Sequence, residues 1–252
     1  MKTTGNTILI TGGGSGIGRG LAEAFQALGN RVVIAGRRRL ALDEVTAANP
    51  GMTALTLDIE DSGGIRPFAV QLGKDYPGLN VLINNAGIMR AEDLQAQQAD
   101  LADAEAIINT NLLGPVRLTA ALLPLLRKQS NSVVMNVSSG LAFVPMALTP
   151  TYSATKAAIH SYTQSLRHQL KGTTTSVVEL IPPYVGTELM SGGSSNPRAM
   201  PLEKFIAEVM EILNTQPDAA EICVENVKPF RLAAESGRYD AIYQGLNSTA
   251  PH

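Results

Sequence analysis

Cysteine is nearly missing from this chain of 252 residues. Cys223 stands alone beside three scattered histidines, so neither an internal disulfide nor a structural zinc site has a ligand set. A reducing, cytoplasmic setting is expected. An excess of one charge is missing too: 20 Lys and Arg against 22 Asp and Glu leave a net charge of −2, which offers no basic field to nucleic acid or anionic lipid. Long apolar runs are scarce. The stretch LTAALLPLL (118–126) is interrupted by Pro124 and is about half of the ~20 residues that a bilayer span needs. Gly12, Gly13 and Gly14 end the amino-terminal apolar stretch before a signal-peptide core can form. No membrane partner, nucleic-acid partner, bound metal or export signal is therefore expected.

What the chain does have is 44% hydrophobic and 17% charged residues, enough to bury on the order of 70% of its unfolded surface. Short β-type runs recur between helical stretches: ILIT (8–11), RVVIAG (31–36), ALTLD (54–58), VLIN (81–84), VVMNV (133–137) and SVVELI (176–181), with a shorter EICVE run near the end. Segments such as 18–28 and 40–48 carry Ala, Leu, Glu and Gln at helical spacing, long enough to cross over between parallel strands. The pattern predicts an α/β fold with a mostly parallel, doubly wound sheet flanked by helices, in a single domain over 1–252. One segment, PPYVGTELMSGGSSNPRAMP (182–201), is too rich in Gly, Ser and Pro for an ordinary connection and is expected to form a lid at about 183–205.

The run ILITGGGSGIGRGLAEAF puts a glycine cluster between a strand and an amphipathic helix, where a pyrophosphate can sit on free backbone N–H groups at the positive end of the helix dipole. The residues that would make this cradle are Gly12, Ser15, Gly16, Ile17 and Gly18. A ligand-free tight turn is the plainer reading. The spacing Thr11-Gly12-x-x-x-Gly16-x-Gly18, the NNAG run 84–87 and Tyr152-x-x-x-Lys156 together resemble the short-chain dehydrogenase/reductase family, in its branch of about 250 residues, with the motifs in order over residues 7 to 190. That resemblance implies a Rossmann-type sheet of seven strands and a nicotinamide dinucleotide as cofactor.

Gly36 stands where a dinucleotide fold often carries a ribose-binding carboxylate, and Arg37, Arg38 and Arg39 follow it. Guanidinium groups match a 2′-phosphate, so NADP(H) is expected in preference to NAD(H), with Arg37 the main contact and Arg38 the second. Arg39 reads as a solvated helix start. The resemblance makes Asp58 and Ile59 adenine contacts, and Asn85, Ala86 and Gly87 the wall beside the adenosine and riboses. Asn84 reads as a strand-end hydrogen-bonding residue.

Tyr152 and Lys156 lie one helical turn apart on one face. A phenol near pKa 10 exchanges protons poorly at neutral pH, and a neighbouring ammonium is expected to lower that value by roughly one to three units. Tyr152 then serves as general acid in carbonyl reduction, or as base in reverse. The resemblance makes Ser139, in NVSSG at the end of the fifth strand, the catalytic serine, and Ser138 its structural neighbour. It makes Asn111 the fourth member of the set. Pro115, with no N–H four residues on, leaves the Asn111 carbonyl free to hold a water that links solvent to Lys156.

Leu141, Phe143, Tyr184, Leu189 and Met190, with Met89 across the cleft, are expected to line a substrate pocket without an evident cation, suited to a hydrophobic ketone or secondary alcohol. Packing is the plainer role for Leu141 and Met190. IPPYVGT (181–187) departs from the family's usual Pro-Gly: Pro183 removes a backbone donor, so Pro182, Val185 and Thr187 carry over less directly as nicotinamide contacts. The expected assembly is a homodimer through the helices around Asn111 and Tyr152, with a homotetramer as the alternative. The rival functional reading is a dinucleotide-binding sensor that has lost the chemistry; it need not keep Asn111, Ser139, Tyr152 and Lys156 together. A nucleotide-sugar epimerase would need a longer chain.

Overall fold

Val, Ile and Leu runs that bury both faces of a strand form the sheet, as parallel strands covered on both sides must. In a computed structural model that describes residues 1–96, 100–190 and 192–248, the strands are β1 (Thr7–Thr11), β2 (Arg31–Gly36), β3 (Thr53–Thr56), β4 (Val81–Asn84), β5 (Ser132–Val137), β6 (Thr175–Ile181) and β7 (Glu221–Cys223). All pairings are parallel, in the order β3-β2-β1-β4-β5-β6-β7. The helices are α1 (Gly16–Ala27), α2 (Arg39–Ala48), α3 (Ser62–Asp75), α4 (Ala102–Ile108), α5 (Gly114–Leu126), α6 (Pro150–Gln169), α7 (Leu202–Thr215), α8 (Lys228–Arg231) and α9 (Tyr239–Asn247). This is the expected seven-stranded Rossmann-type architecture. Positions 97–99, 191 and 249–252, which fall within the expected domain and lid, lie outside the described residues.

Strand periodicity divides the core into two layers. Ile8, Ile10, Val32, Ile34, Val133 and Met135 face Leu21 and Phe25 of α1 and Phe205 and Val209 of α7. Leu9, Val33, Leu82 and Val134 face Ile65 and Leu72 of α3, Leu118 and Leu122 of α5, and Leu166 of α6. Among the described residues one helical run, Ala102–Leu126, is long and apolar enough to cross a membrane by length and composition. The sequence reading saw only its nine-residue core. In the fold this run packs on α3 and α6 as part of the second layer.

Three local features prepare the site. Between α4 and α5 the helix passes through a π turn, Asn109–Leu113, with the Gly114 N–H on the Asn109 carbonyl, just before Pro115. The amino end of α6 has no side-chain cap of its own; instead Glu92, from the chain after β4, accepts from the Thr151 N–H (2.9 Å) and hydroxyl (2.6 Å). A carboxylate there satisfies an orphan donor and suits the helix dipole. The expected lid is tied at its base by a bridge between Val185 and Met200.

Candidate active site

Strand order reverses on either side of β1, and at such a switch point the carboxyl ends of β1 and β4 diverge to open a crevice. Here it is a cleft of about 940 Å³, near the upper end of the roughly 300–1,000 Å³ usual for ligand sites. Its floor is the glycine turn. The Gly12 N–H bonds the Ala35 carbonyl at 2.7 Å, and Gly12 has φ +69, a region other residues avoid. A side chain there would meet the Ala86 backbone at 2.9 Å. Ser15 makes no side-chain cap on α1, so first-turn amides remain available beside Ser15, Gly16 and Ile17, all of which line the cleft. Gly18 does not line it. Gly18 lets α1 close on the turn, because a Cβ would sit 2.4 Å from the Gly12 carbonyl oxygen.

At the far end lie Arg37, Arg38, Leu57 and Ile59. Arg37 Nη1 is 2.6 Å from Glu60 Oε1, which also accepts from the Thr110 hydroxyl at 2.7 Å. Arg38 Nη2 instead donates to Ser15 Oγ at 2.9 Å, directly over the glycine turn. Arg39 pairs with Asp43 on the surface of α2, as a solvated helix start. Asp58 is exposed just beside Leu57 and Ile59, and its carboxylate accepts from the Glu60 N–H at 3.0 Å to shape the turn.

Asn85, Ala86 and Gly87 line the middle of the cleft. Asn85 also clamps the walls together, through its N–H to Thr11 Oγ1 (3.0 Å) and its side chain to the Thr11 carbonyl (2.9 Å). Asn84 is structural, donating to Thr119 Oγ1 and to Asn136 Oδ1 across the β4–β5 register.

The end of β5 and the first turns of α6 bring Ser139, Tyr152 and Lys156 to the cleft. Tyr152 and Lys156 are each only 5% exposed. Lys156 Nζ donates to the Val137 carbonyl at 2.8 Å and lies 5.5 Å from the centre of the Tyr152 ring. The Ser139 hydroxyl hydrogen-bonds the Tyr152 phenol and accepts from the Leu141 N–H at 3.1 Å. Burial pushes the phenol up to about 12, with the Ser139 bond pulling the other way. The expected lowering is thus reversed in the protein by itself, because losing water costs the phenolate more than its protein neighbours return. Burial brings the Lys156 amine down to about 8, while the Glu179 charge works to keep it protonated.

Asn111 lies outside the large cleft, in the π turn. Its side chain is fastened to the Ile88 backbone, accepting from the N–H and donating to the carbonyl at 2.9 Å each. The same amide also donates to Thr155 Oγ1 of α6 at 3.4 Å. Together with Asn84, Asn136, Pro115 and Lys156, Asn111 lines a small polar space behind the lysine, where Asn84 Oδ1 has no protein partner.

At the substrate end Leu141, Tyr184, Leu189, Met190 and Met89 line the cleft, as do Pro182, Val185 and Thr187. Phe143 does not. The short 3₁₀ turn Gly140–Ala142 carries it beneath the loop, where its ring meets His160 edge-on at 4.7 Å and Arg231 stacks on it at 5.0 Å. The structure adds lining that sequence reasoning missed: Met146, Leu148, Arg90, Arg198, and from the carboxyl end Asn226, Phe230 and Leu246. Of these cations Arg90 pairs with Asp103, and Arg198 is exposed. Asn247 fixes the carboxyl end here, accepting from the Ala147 N–H at 2.7 Å and donating to the Pro145 carbonyl at 3.2 Å.

The Lys156 shift sets the sign of a pH effect. The unfolded amine holds its proton up to about 10.5 and the folded one only to about 8, so between those values the unfolded state binds more protons. Stability relative to a Lys156→Met variant should therefore rise across that interval, by up to about 3 kcal/mol. Thermal unfolding of both proteins from pH 7 to 10.5 measures it; a difference that stays flat or falls contradicts the assignment.

Residues 6–197 match the family described as short chain dehydrogenase. Over 252 residues the chain is 37% identical to "Uncharacterized oxidoreductase DltE" of Bacillus subtilis (strain 168), covering 98% of this chain and 99% of that one. The fold is similar to that of a short chain dehydrogenase from Burkholderia cenocepacia J2315 in complex with NADP, at TM-score 0.83 and 25% identity over 100% of both chains. It is also similar to a short chain dehydrogenase/reductase from Burkholderia phymatum in complex with NAD, at TM-score 0.79 and 21% identity, covering 100% of this chain and 99% of that one. With the family match over most of its length, the 37% identity to an oxidoreductase and the shared parallel sheet, the chain belongs to the short-chain dehydrogenase/reductase family of oxidoreductases.

Proposed function

We propose that this oxidoreductase uses NADP(H) to interconvert a carbonyl group and an alcohol on a small, largely apolar molecule, with Tyr152 carrying the proton. The observation behind this reading is that the Tyr152 phenol, bonded to Ser139 and backed by Lys156, opens into the same cleft as the glycine turn.

A dinucleotide fits the residues present. Gly12, Ser15, Gly16 and Ile17 would hold the pyrophosphate on first-turn amides, Ile59 and Ala86 the adenosine side, Asn85 and Gly87 the riboses, and Pro182, Val185 and Thr187 the nicotinamide side. Pro183 contributes no backbone donor there. Arg38, lying over Ser15, is the principal 2′-phosphate contact and Arg37 the second, the reverse of the order expected from sequence. Arg37 is already engaged by Glu60, in a partly exposed pair of the kind usually worth up to about 1 kcal/mol, which a phosphate can displace.

The bound cofactor supplies or accepts the hydride. The chain's own groups handle the proton. In reduction, Ser139 and Tyr152 hold the carbonyl oxygen, and Tyr152 donates its proton as negative charge develops there. The raised phenol value keeps that proton in place at neutral pH. In oxidation Tyr152 must first lose the proton, and positive charge beside the phenol, on Lys156 and on the oxidised cofactor once bound, would work against the cost of burial. The replacement proton for Tyr152 would come from the Lys156 ammonium, which is re-protonated in turn from solvent. The segment at about 183–205 acts as a lid that excludes water, with the carboxyl-terminal Phe230 and Leu246 completing the apolar lining.

Two outcomes check this reading. NADPH should bind at least tenfold more tightly than NADH by fluorescence titration, and Arg38→Ala should erase most of that preference while sparing NADH; equal affinities untouched by the change would overturn the cofactor assignment. On a panel of apolar ketones with the preferred reductant, Tyr152→Phe should lose at least about a hundredfold in kcat while keeping its cofactor affinity. Undiminished turnover would sink the proposed proton transfer.

A further inference from the structure

A glutamate stands in the apolar part of the sixth strand, VVELI, and its side chain is 0% exposed. Burying a carboxylate is costly unless its charge is used and its lone pairs are filled. Glu179 fills them with two partners next to the active site. Ser138, on the cleft wall, donates its hydroxyl to Glu179 Oε1 at 2.6 Å, and His160 Nδ1 lies 2.9 and 3.0 Å from the two carboxylate oxygens. The Gln164 side chain meets His160 Nε2 at 3.2 Å.

The arrangement also ties this carboxylate to the lysine. His160 follows Lys156 by one turn on the same face of α6, and Ser138 follows the Val137 whose carbonyl receives the Lys156 ammonium. The neighbouring charges are otherwise committed. Arg231 on α8 holds Glu221 of β7 at 2.7 Å and also pairs with Glu235, while Lys228 pairs with Glu225. Burial pushes the Cys223 thiol up to about 11, and Tyr152 is a neutral phenol. His160, Glu179 and Glu221 have ligand atoms within 4.8 Å of one another, but the Arg231 guanidinium already occupies the Glu221 carboxylate. Among the described residues Glu179 is the buried carboxylate of this neighbourhood, and the β5–β6 register sets it beside Asn136, which lines the same polar space as Lys156.

We propose that Glu179 is a positioning residue for the reaction: held in place by Ser138 and His160, its buried carboxylate is the counter-charge that keeps the Lys156 amine protonated beside Tyr152. The inference rests on the reading above only in the use made of that charge. A lysine stripped of water without a counter-ion tends toward its neutral form, and a neutral amine does nothing to help a phenol release a proton.

The direct test titrates Lys156 itself, with lysines labelled at Cε and followed by NMR from pH 6 to 11, and the Lys156 signal identified by its loss in Lys156→Met. In Glu179→Gln, which keeps the shape and removes the charge, the midpoint should fall by roughly one pH unit or more, with Glu179→Asp between it and the parent. The alkaline limb of the reductase pH profile should move the same way, and the activity of Glu179→Gln should approach that of the parent near pH 6. A merely structural role would lower activity equally at every pH. If Glu179→Gln does not fold, the Asp variant carries the test with a smaller acidward shift. A Lys156 midpoint that moves in neither variant overturns the proposal. Because the titration needs no turnover, it separates that failure from a failure of the proposed reductase chemistry.

Discussion

An ammonium group held out of water next to a buried phenol is the arrangement on which the site depends, and neither group stays useful there by itself. Lys156 donates to the Val137 carbonyl, and burial drives its amine toward neutrality. Tyr152 is driven the other way, toward a phenol that will not ionise. The two tendencies have the same origin in lost solvation and opposite consequences for charge. The structure around the pair can be understood as a set of supports against them: a capped α6, a polar space behind the lysine, and a carboxylate on the adjoining strand.

Those supports come from distant parts of the chain. Glu92 caps α6 from the segment after β4, the π turn brings Asn111 to the polar space that Lys156 also lines, and Asn84, Asn136 and Thr163 link the ends of β4 and β5 to α6 by buried side-chain hydrogen bonds. The glycine turn is held just as firmly, with Thr11 Oγ1 accepting from the Asn85 and Ala86 amides at 3.0 and 3.1 Å. Rigid framing of this kind matters because a misplaced proton donor loses much of its effect even when its chemistry is right. The floor and the catalytic edge of the cleft are built in this way, whereas the substrate end is made from a loop and the carboxyl-terminal helices.

The sheet was legible in the chain because parallel strands covered on both faces need uninterrupted apolar runs, and such runs are rare elsewhere in this sequence. RVVIAG and VLIN coincide with β2 and β4, and the other runs differ at their ends by one or two residues. The glycine turn and the Tyr152–Lys156 pair were legible because their chemistry is local, set by backbone freedom in one case and helical spacing in the other. What escaped depends on contacts across the fold. Phe143 follows Ser139 closely enough to pass for a pocket residue, yet one 3₁₀ turn sends it under the loop to His160. Arg37 and Arg38 are adjacent in sequence and separate only because Glu60 captures one and Ser15 the other. Phe230, Leu246 and Asn247 reach the site by long-range packing that no local pattern announces. Glu179 did leave a signal, a single charge inside an apolar strand, although its partners could be found only in three dimensions.

The phenol itself gives the most direct measurement. Ultraviolet difference titration of the protein against its Tyr152→Phe counterpart isolates the ionisation of Tyr152, first alone and then saturated with NADP⁺. Alone, the phenol should titrate near 12. With the oxidised cofactor bound, positive charge on both sides of the ring should lower the midpoint by roughly two pH units or more. A midpoint that is the same with and without NADP⁺ would contradict an active site built to release that proton.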